Sequence, residues 1–160
     1  MNIINGSEDT SKFSEEEKAL SDFYMAFNNS NMEKMQSNWS TGHAPVMSNP
    51  LGGKKNGWEE IQQVYEQIFN GPAKVFVEFY DYYIHSSEQM FSAAGREQGY
   101  LLINDNKIDL DIRTSRVFQR ESGLWKQVHH HGSIDNPELL QTYQQAVLLQ
   151  DKYFDGSVEF

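Results

Sequence analysis

Apolar positions recur at helical spacing in the first third of the chain and at strand spacing after it. Leu20, Phe23, Tyr24 and Phe27 fall at i, i+3, i+4 and i+7, so "SEEEKALSDFYMAFNN" is an amphipathic helix. Ser14 and Glu17 stand ahead of it at capping-box spacing, and "NNSN" ends it. Met32, Met35 and Trp39 predict a second, shorter helix, and "NPLGGKKNG" reads as a loop. A third helix, from about Trp58 to Phe69, aligns Trp58, Ile61, Tyr65 and Ile68 on one side, and Gly71-Pro72 stops it.

The texture then changes to long segments rich in aromatic and β-branched residues. "AKVFVEFYDYYIH", "QMFSAAGREQGYLLI", "IDLDIRTSRVFQR" and "LWKQVHHHGSI" predict four strands, joined between the later ones by "NDNK" and "ESG". Asn136-Pro137 begins a last helix, with Asn as cap and Pro at the first position, and Leu139, Leu140, Tyr143 and Val147 form its apolar face. Helices followed by an antiparallel meander make an α+β plan, a curved sheet wrapped on helices. Residues 1–13, polar and rich in Ser, Asn and Asp, read as a disordered arm. A single domain over 14–134 follows, then a C-terminal helix and tail over 135–160.

Strand parity assigns faces. Ile108, Leu110, Ile112 and Phe118 share one face with Thr114 and Arg116, while Asp109, Asp111, Arg113 and Ser115 share the other. The apolar row faces the helices, which buries Arg116. A buried guanidinium needs a carboxylate, a carbonyl or a bound anion, so Arg116 marks either an internal salt bridge or an anion-binding cavity. "ESG" fits a three-residue hairpin with Gly123 in the left-handed position. That register sets Arg116 opposite Val128 and places His130 and Gly132 on the inner face. Trp125, Gln127, His129 and His131 then lie outside; a two-residue turn reverses the assignment. In either register the three consecutive histidines divide two and one.

Composition narrows the chemistry. The 160 residues carry a net charge of −10, against nucleic acid or an anionic membrane as the main partner. There is no cysteine, hence no thiol catalysis or disulfide. The first residues lack the pattern of a signal peptide, and no apolar run approaches a membrane span, so a soluble, cytoplasmic protein is the default expectation. His129 and His131 share a face with Asp109 or Asp111 nearby, but two histidines at i, i+2 without a third fixed ligand are a weak metal signal. Neither a metal nor a cofactor is expected. "LGGKKNG" lacks the spacing of a phosphate loop, and no nucleophile elbow occurs.

Three segments, "FNNSNMEKM", "SNPLGGKKNG" and above all "TSRVFQRESGLWKQVHHHGS", resemble the nuclear transport factor 2-like superfamily, which includes ketosteroid isomerases and SnoaL-like cyclases. Within it they are most similar to the association, or hub, domain of calcium/calmodulin-dependent protein kinase II. Trp125, Val128, His129, His131 and Ser133 match the pattern W-x-x-V-H-x-H-x-S. The resemblance covers roughly Ser14 to Ser133. It implies a cystatin-like cone, with three N-terminal helices packed in a strongly curved antiparallel sheet and a pocket at the open end. It also implies pocket arginines that bind small carboxylates. Arg96 and Arg116 correspond to two of these; the third falls at Gly132, and its loss would enlarge the cavity. Arg96 alternates with Met90, Tyr100 and Leu102, and shares the pocket if that row points inward.

The isomerases of the superfamily place a general-base Asp where this chain has Asn49, and a neutral amide cannot take a proton from carbon. Their oxyanion tyrosine corresponds to Phe23, with Tyr24 one step around. The candidate ligand-binding set is therefore Arg96, Arg116 and His130, with Tyr24 and Trp58 from the helices. The implied function is a stand-alone hub-like domain that forms a homodimer or larger homo-oligomer and binds a small carboxylate. The alternative is a small isomerase, cyclase or dehydratase with His130 as acid/base and Arg116 as oxyanion stabiliser.

Overall fold

In the computed structural model, which describes residues 2–148, the predicted elements form in the predicted order. Helices α1 (Glu15–Asn28) and α2 (Met32–Asn38) come first, then two short strands, β1 (Val46–Ser48) and β2 (Lys55–Asn56). Helix α3 (Gly57–Asn70) precedes the long strands β3 (Lys74–Ser86), β4 (Met90–Ile103), β5 (Asn106–Glu121) and β6 (Leu124–Ser133). Helix α4 (Pro137–Leu148) follows. The expected tail beyond residue 148 lies outside the described residues.

The capping box ahead of α1 is formed: Ser14 Oγ accepts from the Glu17 amide at 3.2 Å, and Glu17 Oε2 accepts from the Ser14 amide at 3.0 Å. The face it starts buries Leu20, Phe23, Tyr24 and Phe27 against α3 and the sheet. Asn136 caps α4 through its side-chain oxygen, which accepts from the amides of Glu138 and Leu139.

The sheet runs β2-β1-β6-β5-β4-β3. Its four long strands pair antiparallel, as the meander predicts. β2 lies in the stretch read as a loop, and β1, just before that stretch, joins β6 in parallel, Met47 opposite His130. Two bulges bend the sheet. One lies in β3 between Tyr80 and Tyr83, where Asp81 has φ +46°; opposite it, a side chain at Gly95 would collide with Tyr82. The other lies in β6 at Val128, between the pairs Val117–His129 and Phe118–Gln127.

The turn ahead of β6 corrects the expected hairpin. Glu121 pairs with Leu124, so the turn holds two residues, Ser122 and Gly123, both at positive φ as a type I′ turn requires. That register turns Trp125 and Gln127 inward, against the expectation, and both are buried. The extra residue at Val128 then restores the expected parity. His130 and Gly132 face inward, Arg116 sits opposite His130 rather than Val128, and His131 is exposed.

The arm is also corrected. Ile4 is fully buried and exchanges both backbone hydrogen bonds with Phe79, at 2.9 and 2.7 Å. Glu8 accepts from the amides of Asn5 and Gly6 and from Ser21 Oγ at 2.7 Å. A polar average concealed one apolar anchor and one carboxylate that ties the backbone down.

Candidate functional site

The inner face of the sheet converges on Arg116, whose side chain is only 3% exposed. Its Nη2 donates to Glu97 Oε1 at 2.9 Å and its Nη1 to Gln127 Oε1 at 2.8 Å. Tyr24 Oη donates to the same Glu97 oxygen at 2.6 Å. Gln127 Nε2 donates to Asn38 Oδ1, and Asn38 Nδ2 to the Ala19 carbonyl. The guanidinium lies 3.6 Å above the ring of Phe23, a cation–π contact out of water. Burial opposes the charge on Arg116, but Tyr24 and Glu97 more than offset it and hold the guanidinium above its ordinary value. Burial, reinforced by the charge of Glu97, keeps the Tyr24 phenol protonated, well above its ordinary value.

Of the two readings of Arg116, the internal salt bridge is therefore present. A cavity is present beside it. It measures about 40 Å³ and is lined at its polar end by Glu97, Arg116, His130 and Asn49, with Tyr65, Ile112, Val75 and Val77 among its walls. That volume suits a few water molecules or a guest of similar size, far below the roughly 300 Å³ of a drug-sized site. Gly132 does not enlarge it, since a Cβ there would already crowd Pro50 Cδ at 3.1 Å and His130 Nε2 at 3.2 Å. The space of the missing arginine is filled.

His130 is 6% exposed, and its Nδ1 lies 3.3 Å from the Ser115 carbonyl. Burial, then the positive charge of Arg116, pushes its pKa well below the usual histidine value. The ring is neutral at pH 7, and a carbonyl partner makes Nδ1 the donor and leaves Nε2 as acceptor. Asn49 spends its side-chain oxygen on the Leu51 amide at 3.1 Å.

Three expected site residues lie elsewhere. Arg96 is on the outer face, where its Nη2 donates to Asp111 Oδ1 at 2.8 Å and approaches Asp135 at 3.7 Å. It does not share a cavity with Arg116; the row Phe91, Ala93, Leu101 points inward and brings Glu97 with it. Tyr24 is wholly buried and reaches the site through Glu97 without lining the cavity. Trp58 packs on Trp39, ring centroids 6.5 Å apart, outside the cavity, and its Nε1 has no partner among the described residues. Sequence reasoning missed Glu97, Gln127, Asn38 and Tyr143. Glu97 had a signal: it is the carboxylate in the inward row of β4, the partner that a buried arginine on β5 demands. His129 and His131 do not meet a third ligand; no group of metal-ligating side chains occurs among the described residues. No described helix is long and apolar enough to cross a membrane.

Helices packed in a strongly bent sheet are the fold of the nuclear transport factor 2-like class. The chain belongs to the SnoaL-like domain family, whose model matches residues 17–137. A protein of Thiobacillus denitrificans described as a candidate calcium/calmodulin-dependent protein kinase type II association domain is similar in structure. It has a TM-score of 0.64 and 21% identity, over 75% of this chain and 94% of that one. A candidate dehydratase of the NTF2-like family from Streptomyces avermitilis gives 0.64 and 18%, over 72% and 91%. A Caulobacter vibrioides protein described as having a cystatin-like fold gives 0.62 and 15%, over 78% and 90%. Among curated proteins, none matches the chain.

Proposed function

We propose that the protein is a stand-alone hub-like domain that self-associates through its sheet and holds a small carboxylate in the cavity beside Arg116. The observation that carries the reading is a buried guanidinium at a cavity wall with only part of its donors spent, on Glu97, Gln127 and, distantly at 3.4 Å, Tyr24. Because Glu97 already neutralises the arginine, the guest is held by hydrogen bonds more than by net charge, and only a small acid fits. The outer face of the sheet presents arginine and aromatic groups of the kind enriched at interfaces, among them Arg96, Tyr100 and the largely exposed Tyr83.

Thermal unfolding with acetate, glycolate and pyruvate tests the pocket. These acids should raise the midpoint and shift the His130 ring resonances, and a His130→Gln variant should retain the stabilisation in weakened form. No shift with any of them, in folded protein, would remove the ligand-binding reading. Light scattering decides assembly, for which a strict monomer is the adverse result.

A second reading is favoured by His130 alone. A neutral imidazole with Nδ1 held by Ser115 offers Nε2 as a base beside Arg116, the arrangement an isomerase, cyclase or dehydratase would use. It requires turnover of some enolisable ketone that His130→Ala abolishes; inactivity across such a panel excludes it.

A further inference from the structure

The family match ends at residue 137, where α4 begins, so this helix is an addition to the matched domain. It does not pack at random. Tyr143, 5% exposed, enters the lining of the cavity that holds Glu97, Arg116 and His130. Ala146 and Val147 are buried behind it, and Gln144 Nε2 donates to the Pro50 carbonyl at 2.9 Å. Pro50 is itself a cavity residue. Its Cδ also lies 3.1 Å from the position a Gly132 side chain would take. Helix and loop therefore close the same end of the cavity. A phenol in that place does what a small cavity needs: it supplies a wall that excludes any guest much larger than a few atoms.

We infer that Tyr143 is the specificity-determining residue of the cavity, closing it against acids bearing an aryl group while admitting those of acetate size. The inference rests on the carboxylate-binding reading for its ligand class and on the position of Tyr143 for its mechanism. It also predicts that Tyr143 shields the His130 ring from solvent reagents. Tyr143→Phe keeps the wall; Tyr143→Ala removes it. Val147→Ala removes a side chain buried on the same helix that does not line the cavity, and so controls for loosened packing.

Two measurements on the full chain separate the parts. In the first, acetate and benzoate are titrated by calorimetry. Tyr143→Ala should gain about tenfold or more in benzoate affinity, with acetate changed by less than about threefold. Tyr143→Phe and Val147→Ala should behave as wild type. Benzoate bound by wild type as well as acetate, or no gain in Tyr143→Ala, overturns the inference. In the second, acylation of His130 by diethyl pyrocarbonate is followed by peptide mass spectrometry, with the exposed His43 and His85 as references. His130 should react about tenfold more slowly than these in wild type and Val147→Ala, and approach them in Tyr143→Ala. Equal protection in Tyr143→Ala and wild type overturns the closing role. If no acid binds any variant while His130 becomes reactive in Tyr143→Ala, the carboxylate reading falls and the closing role of Tyr143 stands.

Discussion

Arg116 on β5 and Arg96 on β4 each hold a carboxylate, at 2.9 and 2.8 Å, on opposite faces of one sheet. The side chains of Arg116 and Glu97 are 3% and 6% exposed, those of Arg96 and Asp111 30% and 53%. Distance does not separate the pairs; solvent does. Inside, bulk water does not screen or solvate a charge left alone, so each charge depends on the other and on Tyr24, Gln127 and Asn38. Outside, water screens the attraction and solvates either group left alone. A pair of the first kind organises a core, whereas one of the second kind decorates a face.

The strongest way to break this contrast is Glu97→Ala. It strands a buried guanidinium, and urea unfolding should show a loss of about 3–5 kcal/mol. Replacing both partners, Glu97→Leu with Arg116→Met, should recover most of that loss, because neither charge then stays buried. A double variant as unstable as Glu97→Ala would mean that the pair does not act as a unit.

The next effect depends on pH. The pKa of folded His130 lies below that of an unfolded histidine, through burial and then the charge of Arg116, with smaller repulsion from His129 and His131. The unfolded state therefore binds the extra proton. His130's contribution is complete above the ordinary histidine value, near 6.5, and is lost as pH falls toward its lowered value. The slope is at most about 1.4 kcal/mol per pH unit. Urea midpoints from about pH 7.5 down to 5 should show this decline, and His130→Gln should remove that component. The smallest effect is Asp111→Ala on the outer face, at most about 1 kcal/mol and diminished by added salt. A cost matching that of Glu97→Ala would erase the distinction between the faces.

The same contrast explains what the sequence disclosed. In β5 the apolar row is unbroken enough to fix parity, so Arg116 was placed inside from its neighbours alone. In β4, Met90, Tyr100 and Leu102 compete with Phe91, Ala93 and Leu101, and both rows carry a charge. Alternation does not choose between them, and the resemblance favoured Arg96 where the fold buries Glu97. In β6 the turn and the bulge are each one-residue effects of opposite sign. His130 was placed correctly, while Trp125 and Gln127, which lie between turn and bulge, were not. Tyr143 looked like any apolar position of a helix, since nothing in a helical period says which cavity it closes.

The arm carries a consequence for how the protein is handled. Ile4 satisfies Phe79 on β3, the outermost strand of its side of the sheet. Gly6, at φ +92°, lies so close to the Met25 backbone that a Cβ would overlap it. A methyl group at residue 6 therefore acts at a distance. It prises the arm away and leaves the Phe79 amide and carbonyl on the edge of β3 bare, a point at which a second chain can begin to add a strand. The first symptom of Gly6→Ala would be seen in the centrifuge tube, as pelleted protein, before any change in the cavity could be measured.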